Sequence, residues 1–147
     1  MPTGVKKYQR SRPPCARLSE KAKKEMKSMT LDSARIDREL GAVICEQKGK
    51  LELGPMCSGE QCQIPAYKFL ASCEDGKNAG TFHTHGKSGP FPSDADIDIT
   101  FKMREPVIFI GGMRGPQPWI RGYYNVRKVE ALEGMFFDYD EDACEVD

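Results

Sequence analysis

The chain has only two histidines, His83 and His85, and they stand two residues apart in the stretch Ala79-Gly-Thr-Phe-His-Thr-His85. The alternation there predicts a strand, and side chains at i and i+2 of a strand project from the same face. Two imidazoles on one face can share a metal ion. Seven residues then separate His85 from Ser93, and two of them are Gly and two Pro, so residues 86–92 are expected to form a loop. Ser93 opens a helix predicted over residues 93–103, with Asp96 in its first turn. A loop of this length can fold the helix start back over the strand end and bring Asp96 to the two histidines. His83, His85 and Asp96 then supply three protein ligands with a fourth position open, the arrangement of a catalytic zinc site. Ser93 and Asp96 also read as a capping box, in which the hydroxyl bonds a helix amide and the acid bonds back. The two roles are compatible, because a serine at a helix start can cap and still turn its hydroxyl toward a substrate.

No third histidine remains to activate a serine or a cysteine. A serine-hydrolase reading therefore fails, and a Cys–His protease reading would have to divert one of the zinc-site histidines.

The elements that must position these residues can be followed along the chain. Leu18, Ala22, Met26 and Met29 fall on one helical stripe among Lys and Glu, which predicts a helix from Ala16 to about Met29. A short connection with Leu31 and Ile36 leads to a buried strand over 39–45. Residues 47–50 form a hairpin turn and 51–53 the return strand. The stretch 54–64 is expected as loop, 65–72 is an ambiguous short element, and the strand with the histidines covers 79–85. After the helix at 93–103 come a strand at 107–110, a Gly-rich turn at 111–115 and a strand at 119–126. The fold class is α/β (α+β), one sheet with helices packed on it.

At 147 residues the chain is one domain. It carries 22 Lys+Arg against 22 Asp+Glu, which excludes a domain-wide basic field for nucleic acid or an anionic membrane. Neutrality hides an asymmetry, since residues 1–38 hold 11 bases against 4 acids and residues 130–147 hold 8 acids and no base. Residues 1–15 are expected as a flexible basic arm, 16–129 as the domain and 130–147 as an acidic tail. No apolar run suits a transmembrane helix or a signal peptide, so a soluble, cytoplasmic protein is expected, with no membrane partner. The six cysteines are then expected as reduced thiols. Cys57, Cys62 and Cys73 are only a loose match to a structural zinc site.

The sequence resembles the JAMM (MPN+) metalloproteases, whose signature is H-x-H-x7-S-x2-D with a glutamate on an upstream strand. His83, His85, Ser93 and Asp96 fill every motif position at the family spacing. The family glutamate begins a strand as Glu-apolar-Gly-Gly/Ala-apolar-apolar, which Glu39 to Ile44 matches. Glu46 is the competitor, and Glu39 is the better match because Glu46 stands at the hairpin end. One departure is Gly86, where the family commonly has Pro, which loosens the loop without removing a ligand. The likeness spans residues 16–126 and implies a single JAMM/MPN domain of deaminase-like architecture, a central mixed sheet packed by helices. It also implies one catalytic zinc ion, with Glu39 as general base and the Ser93 hydroxyl holding the oxyanion of the tetrahedral intermediate.

The activity implied is zinc-dependent cleavage of a peptide or isopeptide bond, removing a ubiquitin-like or other small protein modifier with a Gly-Gly tail. The alternatives are processing of a sulfur-carrier protein or of a cell-wall or tail peptide, and a non-catalytic MPN scaffold. Nucleic acid is not an expected partner.

Overall fold

The structure, a computed structural model, describes residues 14–62, 73–74, 76–91, 107–124, 127–131, 134–138 and 144–147. Two helices come first, a single turn α1 (Pro14–Arg17) and the long α2 (Glu20–Ile36). Ser19 caps α2, its side chain accepting from the Ala22 amide at 3.0 Å. The helix runs on past Met29 because its buried stripe continues through polar residues: Ala22, Met26, Thr30 and Ser33. Thr30 donates to the Met26 carbonyl and Ser33 to the Arg38 carbonyl, each at 2.7 Å, so both hydroxyls are buried with partners. Asp37, left-handed at φ 53°, ends it.

The strands are β1 (Leu40–Gln47), β2 (Lys50–Ser58), β3 (Lys77–Thr84), β4 (Val107–Arg114), β5 (Gln117–Tyr124), β6 (Arg127–Ala131), β7 (Gly134–Asp138) and β8 (Cys144–Glu145), with a 3-10 turn at Gly59–Cys62. Six of them form one sheet in the order β2-β1-β3-β4-β5-β8, and β6 pairs with β7 separately. Within the large sheet only β3 and β4 are parallel, the other neighbours being antiparallel. The chain is thus a mixed α+β fold. One sheet face buries Ile44, Phe82 and Phe109 against Ala22 and Met26 of α2, while Val43, Cys45, Cys57 and Cys62 form a second buried cluster.

Several expectations are corrected. The stretch 54–58 is strand, not loop: β2 is an edge strand, where Pro55 removes no ladder bond that is needed. The strand β4 continues through Gly111 and Gly112, so the turn starts only at Gly115. Within the acidic stretch from 130, β8 closes the sheet edge, Val146 donating to the Ile120 carbonyl at 2.9 Å. Lys23 hydrogen-bonds Asp147 at 3.0 Å, which holds that carboxyl below its ordinary range. Residues 1–13 and 65–72 and the helix expected over 93–103 lie outside the described residues.

The cysteines are not reduced. They pair as Cys15–Cys144, Cys45–Cys73 and Cys57–Cys62, which also leaves no thiolates for a zinc site at Cys57, Cys62 and Cys73. The expectation of reduced thiols rests on compartment, not on spacing, and the partners of two of the three pairs are also far apart in sequence. The Cys15–Cys144 link spans a sequence separation of 129. In the chain-entropy account a loop that long stabilises by ~4–5 kcal/mol.

Candidate metal centre

Thr84, between the two histidines, turns toward α2. Its Oγ1 donates to Ser33 Oγ at 2.5 Å and accepts from the Leu40 amide at 2.9 Å. His83 and His85 therefore project from the opposite face, as alternation requires. Their ring centres stand 5.1 Å apart with planes tilted by 53°. Two imidazoles bound to one tetrahedral zinc, with Zn–N of about 2.0–2.1 Å, have ring centres roughly 5 Å apart, so the pair fits a shared ion.

The tautomer of His85 is set by its surroundings. Its Nδ1 lies 3.1 Å from the Gly89 carbonyl oxygen. A carbonyl oxygen only accepts, so Nδ1 carries a proton, and in the neutral ring the lone pair is then on Nε2. Metal-binding histidines are commonly fixed in this way, by a backbone acceptor on the far ring nitrogen. The sequence reading misses Gly89, whose part is played by its carbonyl and not by a side chain.

The loop after β3 is held firmly although Gly86 replaces the expected Pro. Gly86 takes φ 59°, which Pro cannot adopt. The His85 amide donates to Gly111 O at 2.8 Å, Ser88 N to His85 O at 3.1 Å and Met113 N to Ser88 O at 3.0 Å. Farther along, Tyr123 donates to the Pro90 carbonyl at 2.7 Å, and Phe91 stands edge-on to Trp119 with ring centres 5.2 Å apart. The loop lies so close over β4 that a Cβ on Gly112 would be 2.2 Å from Ser88 O and 2.6 Å from Gly89 C. Gly112→Ala is accordingly expected to lift the loop, take the Gly89 carbonyl off His85 and weaken zinc binding ~10–100-fold. Competition titration with a zinc chelator on folded protein measures this, and an unchanged affinity would disconnect the loop from the site.

The register of β1 on β3 places the two glutamates. Gly41 lies opposite His83 and Ala42 opposite Phe82, and continuing that register would set Glu39, one residue before β1, opposite His85, one residue after β3. Glu39 is exposed at the start of β1 and its carbonyl accepts from the Gly59 amide at 2.8 Å. Glu46 pairs with Lys77, six residues before His83 on β3. At about 3.3 Å per residue that is roughly 20 Å from the histidines. Its carboxylate is moreover ion-paired with Arg17, beside a groove of about 770 Å³ lined by Lys48, Lys50 and Lys77. Glu46 is in the wrong place to serve the site.

Of the five residues singled out from the sequence, the structure sets the His83 and His85 rings side by side at the end of β3 and Glu39 just before the neighbouring strand β1. Ser93 and Asp96 lie outside the described residues. Among the described residues no group of three His, Cys, Asp or Glu side chains is gathered that could hold a metal. No helix among them is long and apolar enough to cross a membrane. Compared with models of known families and with curated proteins, the chain matches none.

Proposed function

We propose that the chain is a zinc-dependent hydrolase of JAMM type, built on a deaminase-like domain, that cuts a peptide or isopeptide bond. The observation that carries this reading is the histidine pair on one strand face, with the Gly89 carbonyl fixing the ring of His85 through its Nδ1. His83, His85 and Asp96 would hold one zinc ion through two neutral imidazoles and a carboxylate, and the ion would supply a Lewis acid for the substrate carbonyl and a water of lowered pKa. Glu39 accepts the proton of the attacking water and returns it to the departing nitrogen, which keeps the reaction balanced without an external acid. Ser93 donates its hydroxyl hydrogen to the developing oxyanion. The face of β3 toward α2 is filled by Thr84 and Phe82, which supports a substrate site on the histidine side.

The substrate under this reading is a small protein modifier with a Gly-Gly tail. Processing of a cell-wall or tail peptide is the second reading, and one observation favours it. Three disulfides are the mark of an oxidising compartment, or of a hyperthermophile's interior, more than of an ordinary cytoplasm.

The test is metal analysis of protein purified without added zinc, joined to a cleavage screen on linear and isopeptide-linked ubiquitin-like substrates and on cross-linked cell-wall peptides. About one zinc per chain and cleavage that phenanthroline abolishes are expected. Full activity in zinc-free protein would refute the reading, and the substrate cut separates the two versions of it.

A further inference from the structure

Glu39 stands at the open end of β1, and what holds it there is unusual. On one side the next residue is anchored to the helix layer, the Leu40 amide donating to Thr84 Oγ1. On the other side the register pairs Leu40 with Ser58 and Gly41 with Cys57, and the Gly59 amide donates to the Glu39 carbonyl at 2.8 Å. Gly59 lies between Cys57 and Cys62, so the Cys57–Cys62 disulfide closes a short ring around a backbone donor to Glu39. The crosslink lies on the histidine side of the sheet. A Cβ on Gly41, the residue opposite His83, would be 2.9 Å from Cys57 Sγ and 3.2 Å from Cys62 Sγ. Both sulfurs are buried, in residues exposed by 5% and 8%.

We infer that the Cys57–Cys62 disulfide is a positioning device for Glu39, an inference that rests on the hydrolase reading above. With the crosslink present, the turn at Gly59–Cys62 cannot leave the end of β2, and Gly59 keeps hold of the Glu39 peptide. Without it the two side chains separate to the roughly 3.5–4 Å of non-bonded atoms. Gly41 blocks them from below, so the turn moves outward and takes the Gly59 donor with it. Glu39 then loses the backbone anchor on its β2 side, while the Leu40 amide keeps its bond to Thr84 Oγ1. The zinc ligands are on β3 and beyond it, so metal binding does not depend on the crosslink. A displacement of about 1 Å in a group that must reach a reacting proton costs on the order of 10²-fold in rate. The Cys45–Cys73 disulfide provides an internal comparison, because it ties the same strand β1 at its far end, away from Glu39.

The experiment compares wild type with two double variants, Cys57→Ser with Cys62→Ser and Cys45→Ser with Cys73→Ser. For each, kcat, KM and zinc content are measured, together with hydrogen exchange at the Gly59 and Leu40 amides. The expected result is that loss of Cys57–Cys62 lowers kcat about 10²-fold with KM and zinc unchanged. The Gly59 amide should exchange faster while Leu40 stays protected, and loss of Cys45–Cys73 should leave kcat near wild type. An unchanged kcat without Cys57–Cys62, or an equal fall in both variants, overturns the inference. If wild type cleaves nothing in the screen, the hydrolase reading fails by itself and the Gly59 exchange still decides whether the disulfide holds Glu39. If the Cys57/Cys62 variant does not fold, exchange on the intact chain decides, and a Gly59 amide as fast as an unprotected one overturns the inference.

Discussion

Glu39→Gln protein is expected to bind zinc as wild type does and to hydrolyse its substrate ~10²–10⁴-fold more slowly, the usual contribution of a positioned general base. The substitution keeps the shape of the side chain and the backbone bond from Gly59 to residue 39, so nothing that positions β1 is disturbed. It removes only the ability to accept a proton. The companion protein, Glu46→Gln, should retain full turnover, since Glu46 lies at the other end of the sheet in an ion pair with Arg17. That pair is partly exposed, so its loss should cost little stability. Zinc analysis and initial rates on the two variants settle the matter, and a dead Glu46→Gln beside an active Glu39→Gln would reverse the assignment.

His85→Ala should lose both metal and activity. The side chain is one of two imidazoles on the face, and its ring is the one oriented by the Gly89 carbonyl. Removing the ligand itself must weaken zinc binding by more than the ~10–100-fold that an outer partner's loss costs. Folding should survive, because His85 lies just past the end of β3 and is only partly buried. Mass spectrometry under native conditions reads the metal, and circular dichroism the fold. Zinc held at the wild-type level by His85→Ala protein would remove this residue from the site.

The parts of this site that were legible in the sequence are those carried by side-chain type at short range. His83 and His85 could be placed on one strand face because alternation has a period of two, and the hairpin at 47–50 was marked by Lys48 and Gly49, which both take positive φ. What was not legible depends on hydroxyls, carbonyls and distant partners. The helix α2 looked shorter than it is because Thr30 and Ser33 replace apolar residues in its buried stripe. The stretch 54–58 looked like a loop because Gly54 and Pro55 are turn residues in isolation, whereas an edge strand accepts them. Glu39 could be preferred to Glu46 from the hairpin signal after Glu46, and the register of β1 on β3, which sets Glu46 opposite Lys77, adds how far Glu46 stands from the histidines. The disulfides were not legible because reduced thiols follow from compartment alone, and the partners are also distant: Cys45 and Cys73 are 28 residues apart, and Cys15 and Cys144 are 129 apart.

That wide crosslinking changes what a protease could do to the molecule. A single backbone cut between residues 63 and 72 would put Glu39 on one fragment and His83 and His85 on the other. Cys15–Cys144 and Cys45–Cys73 both bridge such a cut, and β1 would still pair with β3 across it. The nicked chain would migrate as one species until reduced and would keep β1 and β3 in register, so its integrity rests on sulfur linkages and strand pairing more than on an unbroken backbone.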